Sequence, residues 1–169
     1  LAMKDILEQI RNRIVSVSQV YDMLYETQEI KELQLDQYLR QLAEYLMKTF
    51  NAGRARPVEL RMDQDEVRIS TKRAIPAGLI LNEILTNAMK HAFPDDRHGS
   101  IAMTLVRRGD NIILTVADDG AGLPRGFDIN KSKGLGLVLV RTLATQLGAT
   151  VEYGGGEGAR FCISFPVMG

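Results

Sequence analysis

Leu81-Asn82-Glu83-Ile84-Leu85-Thr86-Asn87-Ala88-Met89-Lys90-His91-Ala92-Phe93 reads as a helix whose two faces differ in character. On a wheel of about 100° per residue with Glu83 at zero, Asn87 falls near ~40°, Lys90 near ~−20° and His91 near ~80°. Leu81, Ile84, Leu85, Ala88, Met89 and Ala92 occupy the opposite sector, between about 100° and about 240°. One face is core; the other offers a carboxylate, an amide, an ammonium and an imidazole. Taken alone, such a face is the solvated side of a surface helix, and what it means depends on its neighbours in the chain.

Pro76 sits where a helix N1 residue would sit, ahead of this helix, which is expected over 79–93. Upstream, Val58-Glu59-Leu60-Arg61-Met62 and Val67-Arg68-Ile69 alternate like short strands. Before them Asp36 reads as an N-cap, followed by Leu39, Leu42, Leu46 and Phe50 at helical spacing, with an end at Asn51-Ala52-Gly53. Residues 3–27 carry Met3, Ile10, Val17 and Leu24 at every seventh position, widened by Ile6, Leu7, Ile14, Val20 and Tyr21. That long helix cannot bury its stripe alone and needs the rest of the chain or a second molecule. Downstream, 100–107 and 112–117 form strands joined at Gly109-Asp110-Asn111, an antiparallel hairpin signal. A helix follows over 136–147, then strands over 150–153 and 161–165, separated by Gly154-Gly155-Gly156-Glu157-Gly158. The mixture predicts an α/β (α+β) two-layer sandwich with a mixed, mostly antiparallel sheet, preceded by a long helix.

Two glycine-rich turns accompany the two-faced helix. Asp118-Asp119-Gly120-Ala121-Gly122 ends an apolar strand; its glycines permit a sharp turn and the approach of a flat ring, while a carboxylate can accept a hydrogen bond from an exocyclic amine. Lys133-Gly134-Leu135-Gly136-Leu137-Val138 opens a helix, where free N–H groups favour phosphate. The second turn matches neither the Walker nor the Rossmann fingerprint.

In this order the three segments closely resemble the N, G1 and G2 boxes of the Bergerat-type (GHKL) ATPases, over roughly residues 35–167. That superfamily includes sensor histidine kinases, type II topoisomerases, heat-shock chaperones and mismatch-repair ATPases. Arg11-Asn12-Arg13-Ile14 through Leu24-Tyr25, then Leu35-Asp36-Gln37-Tyr38-Leu39, look like the second dimerisation helix and its junction in the histidine kinase subclass whose acceptor box reads His-Arg-Val-Lys-Asn-Asn. The resemblance implies two units: residues 1–32 from the dimerisation and phosphotransfer region, and 33–169 as the ATP-binding catalytic domain.

It also implies roles. Asn87 would coordinate Mg²⁺ bridging the ATP phosphates and Lys90 would bring charge to them. His91 and Asn82 would lie nearby. Asp118 would accept the adenine amino group, Gly120 and Gly122 would line the base pocket, and Gly134, Leu135 and Gly136 would sit against phosphate. Glu83 lies one turn before Asn87, a rise of about 6 Å, and would be the catalytic base. Residues 123–133 take the position of a nucleotide lid, expected to be poorly ordered without ligand. The family's usual Gly-Thr before the last strand is here Gly158-Ala159, which removes a threonine contact to the adenine region.

The implied reaction is ATP-dependent phosphoryl transfer to a histidine. The chain's two histidines are His91, inside the N box, and His98, in a polar loop, and neither has acceptor context. The acceptor helix, a response regulator and a second copy joined through the N-terminal helix are the implied partners. An anti-sigma-type serine kinase or simple ATPase would not need the long helix, and a non-catalytic scaffold would not need the intact boxes.

Composition fits. With 169 residues, 45% hydrophobic and 25% charged, the chain has the make-up of one ordinary domain. Twenty-one basic against twenty-one acidic residues give no excess for nucleic acid. Its single cysteine, Cys162, excludes a disulfide framework or multi-thiolate zinc site and reads as a small core residue. No apolar run reaches the about 18 residues of a membrane span, and the expected location is cytoplasmic, with any anchor outside this chain.

Overall fold

The computed structural model describes residues 14, 18 and 32–168. The helix expected over 3–27 therefore lies outside the described residues, apart from Ile14 and Ser18, both helical. The proposed domain boundary after residue 32 borders that region.

A short strand β1 (Glu32–Gln34) leads into helix α1 (Leu35–Asn51), whose buried residues Leu35, Tyr38, Leu39, Leu42, Ala43, Leu46 and Met47 follow helical spacing. Asp36 is not the cap: Gln34 holds that position with no side-chain cap bond. Asp36 Oδ1 instead accepts the Val67 N–H at 3.1 Å, while Leu35 N–H donates to the Val67 carbonyl at 2.7 Å. A tertiary tie has taken over the carboxylate that local sequence would have used for capping. At the other end Asn51 closes the turn by exchanging two 2.9 Å bonds with the Val58 backbone.

Next come β2 (Glu59–Gln64), β3 (Arg68–Ser70) and helix α2 (Thr71–His91). This helix starts eight residues before the expected 79, and Pro76 lies inside it rather than at its first position. Proline removes only one backbone bond, the one Lys72 C=O would have received. Packing offsets that loss, since Ala74 and Ala77 are buried and Arg73 Nη2 donates to the Leu147 and Pro166 carbonyls at 2.8 and 2.7 Å. Where α1 crosses α2, Gly78 lies under the Tyr38 ring, with no space for a Cβ.

Strands β4 (Ser100–Arg108) and β5 (Asn111–Asp118) form the expected hairpin, its register running from Arg108↔Asn111 to Ile101↔Asp118. Gly109 takes φ 59° in the two-residue turn. After helix α3 (Leu135–Leu147), β6 (Thr150–Gly156) and β7 (Gly158–Pro166) complete the sheet. The glycine run expected to separate the two strands is largely strand itself: Gly154, Gly155 and Gly156 pair with Arg160, Ala159 and Gly158. Ladder hydrogen bonds need only backbone, so these glycines pair without side chains to pack.

The five-stranded order is β2-β4-β5-β7-β6, parallel between β2 and β4 and antiparallel elsewhere; β1 and β3 form a separate antiparallel pair. Burial alternates along the central strands: Ile101, Met103 and Leu105, then Ile112, Leu114 and Val116, then Phe161, Ile163 and Phe165. One sheet face is thus covered by the helices, giving the two layers expected.

Candidate functional site

The turn 118–122 is held from three sides. A Cβ on Gly120 would collide with the Ala92 carbonyl and Cβ at the end of α2, and Ala121 N–H donates to that carbonyl at 2.8 Å. On the far side a Cβ on Gly158 would collide with the Asp118 carbonyl, and one on Gly122 would lie 3.2 Å from the Gly158 carbonyl. Below, Asp119 N–H donates to Ser100 O at 3.2 Å, and its carboxylate accepts the Ser100 N–H at 2.8 Å and hydroxyl at 2.9 Å. The strand-end turn is thereby clamped between the end of α2 and the β6–β7 hairpin.

Asp118 uses Oδ1 to accept N–H bonds from Gly120 at 2.9 Å and Ala159 at 3.2 Å. Its carboxylate therefore has a fixed orientation at the edge of a cavity of about 450 Å³, lined also by Ala117, Tyr153, Ala159 and Arg160 with the β6–β7 glycines. Burial raises the Asp118 pKa, the two N–H bonds pull it back, and neighbouring Asp119 raises it further. Asp119 differs: its slight burial is outweighed by the Ser100 bonds and the Arg97 charge, leaving its pKa below the ordinary carboxylate value.

Along α2 the predicted residues divide. Lys90 and His91 are exposed and Asn87 half-buried, as the wheel predicts. Glu83 and Asn82, by contrast, are 2% and 3% exposed. The wheel had Glu83 at the centre of the polar face; packing around α2 covers that part of it. Asn82 Oδ1 has no protein hydrogen-bond partner. None of these α2 residues borders the Asp118 cavity. Their link to it is the docking of the 118–122 turn on the last turn of α2.

Gly134 is the N-cap of α3 with no side-chain cap bond; a Cβ there would meet nothing nearer than Ser132 Oγ at 3.7 Å. Leu135 is exposed and Gly136 buried, so the opening of α3 presents bare backbone at an accessible surface.

The segment expected as a loose lid is held at its middle. Phe127 meets the Tyr153 ring edge-on at 5.2 Å and Phe161 at 6.3 Å, and Ile129 is buried. Arg141 Nη1 donates to the Ile129 carbonyl and, at 3.1 Å, to Ser132 O. The Tyr153 hydroxyl donates to Asp128 Oδ1 at 3.4 Å. Sequence reasoning missed these anchors, along with Ser100, Gly158 and Arg97; the Gly154–Gly158 run was the available signal, and it was read as a connector.

Metal chemistry here has a narrow donor set. Among the described residues no cluster of three His, Cys, Asp or Glu side chains could hold an ion. The half-buried Asn87 amide suits a hard cation that keeps waters and takes other oxygens from phosphate, as Mg²⁺ does.

Residues 72–169 match the family described as Histidine kinase-, DNA gyrase B-, and HSP90-like ATPase, and residues 1–50 match one described as Histidine kinase. Sensor histidine kinase PdtaS of Mycobacterium tuberculosis is 30% identical over 141 residues, covering 83% of this chain and 27% of that protein. Blue-light-activated histidine kinase 2 of Erythrobacter litoralis is 32% identical over 139 residues, covering 81% of this chain and 39% of that protein. The chain thus spans well under half the length of these relatives. Among solved structures, the histidine kinase domain of the Erythrobacter litoralis EL346 blue-light activated kinase superposes with a TM-score of 0.81 at 26% identity, over 92% of this chain and 75% of that one.

Proposed function

Because the chain belongs to the Histidine kinase-, DNA gyrase B-, and HSP90-like ATPase family, an ATP-binding family, we propose that it is the catalytic core of a sensor histidine kinase. It transfers the ATP γ-phosphoryl group to a histidine on a helix outside this sequence. The observation that carries the reading is the Asp118 carboxylate, oriented by the Gly120 and Ala159 N–H groups on a turn docked against the end of α2.

In this reading Asp118 accepts the adenine amino group while Gly120 and Gly122 leave room for the ring. Lys90 and His91 approach the phosphates from the exposed end of α2, with Asn82 behind them. The N–H groups around Gly134, Leu135 and Gly136 receive phosphate oxygens at the opening of α3. Asn87 would hold Mg²⁺, which would supply charge neutralisation for the phosphates. An imidazole nitrogen attacks the γ-phosphorus, the bond to the β-phosphate oxygen breaks, and ADP leaves. Glu83, 2% exposed, takes the imidazole proton once the packing over that side of α2 opens to admit the ring.

The sensor, the response regulator and the second copy belong to the same proposal. Ile14, an apolar residue of the heptad stripe, is 63% exposed, which supports a partner for that helix. Among the described residues no helix is long and apolar enough to cross a membrane, and the chain is proposed to work in the cytoplasm.

The test is to titrate Mg·ATP onto the chain, then add a peptide carrying the acceptor helix and assay acid-labile phosphate. Nucleotide binding with phosphohistidine formation is the expected result. Absence of nucleotide binding, or labelling on serine, overturns the assignment. With Glu83→Gln, ATP binding should persist while the transfer rate falls about 10²- to 10⁴-fold; an unchanged rate removes Glu83 as the base.

A further inference from the structure

The loop between α2 and β4 contains two successive residues with left-handed backbone, Asp95 (φ 52°) and Asp96 (φ 56°). Such conformations are costly for residues other than glycine and persist only where the surroundings over-determine them. Here one side chain reaches the segment at three points, beside the Arg97 N–H bond to the Pro94 carbonyl at 2.9 Å. Arg54, in the turn after α1, pairs through Nε with Asp96 Oδ1 at 3.5 Å. Its Nη2 donates to the Phe93 carbonyl at 3.3 Å and to the Arg97 carbonyl at 3.2 Å, spanning the strained segment. The neighbouring Ala55 N–H donates to Asp96 Oδ2 at 3.0 Å.

The segment that Arg54 grips in turn grips the Asp118 turn. Arg97 Nη2 donates to the Asp119 carbonyl at 3.2 Å, and the Ala92 carbonyl receives the Ala121 N–H at 2.8 Å. Gly99 leaves no room for a Cβ between Phe93 and the Asp119 carboxylate. Arg54 is thus connected to the turn through one intervening loop. Its side chain is only 15% exposed; Nη2 is given to that loop, while Nε is shared between Asp96 and the Arg56 carbonyl, 3.3 Å away.

We propose that Arg54 is a positioning residue for base recognition: by fixing the loop 93–97 it sets the placement of the Asp118 carboxylate and so the discrimination of adenine from other bases. The proposal rests on the reading of Asp118 as the adenine acceptor. A fork-shaped guanidinium is needed because three acceptors lie in different directions, and a lysine ammonium could satisfy the ion pair without spanning the two carbonyls.

The experiment measures dissociation constants of Mg·ATP, Mg·GTP and Mg·tripolyphosphate for the unaltered chain, Arg54→Ala and Arg54→Lys. A role confined to stability would shift all three ligands together. Positioning predicts that the ATP-over-GTP preference falls about tenfold in Arg54→Ala, with tripolyphosphate binding unchanged and Arg54→Lys intermediate. Should Arg54→Ala not fold, the partial loss in Arg54→Lys carries the test. An undiminished preference in the folded variants, with a discriminating parent, overturns this proposal alone. A parent that binds ATP no better than GTP overturns the Asp118 reading and this proposal with it.

Discussion

In the proposed role Asp118 accepts a hydrogen bond from an amine, most strongly when ionised, yet it sits where ionisation is disfavoured. Burial raises its pKa against the lowering effect of two N–H bonds. As pH falls, the folded chain therefore takes up this proton before the unfolded chain does, so protonating Asp118 favours the folded state while it removes the acceptor. The ratio of ADP affinity to pyrophosphate affinity, which cancels phosphate titration, should begin to fall at a pH above the ordinary aspartate range. Isothermal titration from pH 7.5 to about 4.5 checks this, and a flat ratio would contradict it. Asp118→Asn reverses one donor–acceptor relation and should weaken ADP about 10- to 100-fold, a loss of about 1.4–2.8 kcal/mol. Here the sequence marked residue types able to carry chemistry and was silent about burial. Asp118 and its glycines were legible because few residue types allow such a turn; the covering of Glu83 and Asn82 was not, because a wheel records direction and ignores what packs alongside.

Helix α2 shows how elements depart from local preference. The proline signal placed its start too late, because the Arg73 bonds to Leu147 and Pro166 and the burial of Ala74 act over distances that propensity does not see. The β6–β7 glycines were likewise legible as glycines and illegible as strand, since pairing depends on a partner supplied by the sheet. Gly78 allows a sharp test. Alanine is favoured over glycine in a helix by about 1 kcal/mol, but a methyl here meets the buried Tyr38 ring. Gly78→Ala is expected to destabilise the chain by about 1–3 kcal/mol, measured by urea unfolding; net stabilisation would show that the α1–α2 crossing yields easily.

For the whole molecule the architecture could be read from alternation, because Ile101, Met103 and Leu105 and their counterparts on β5 and β7 mark one buried sheet face. Strand order was not legible, since alternation tells which side a residue faces and nothing about which strand lies beside it. Phe165, 1% exposed in β7, should cost about 3–5 kcal/mol as Phe165→Ala, with a lower urea midpoint as the readout. The position of β7 reaches further than stability. It lies between β5 and β6 and supplies Gly158 and Ala159 to the Asp118 turn. A ribosome emits these residues after every other strand of the sheet, so β5 and β6 lack the strand between them until β7 emerges. A protein stalled before residue 158 would leave the flanks of β5 and β6 open to chaperones and proteases.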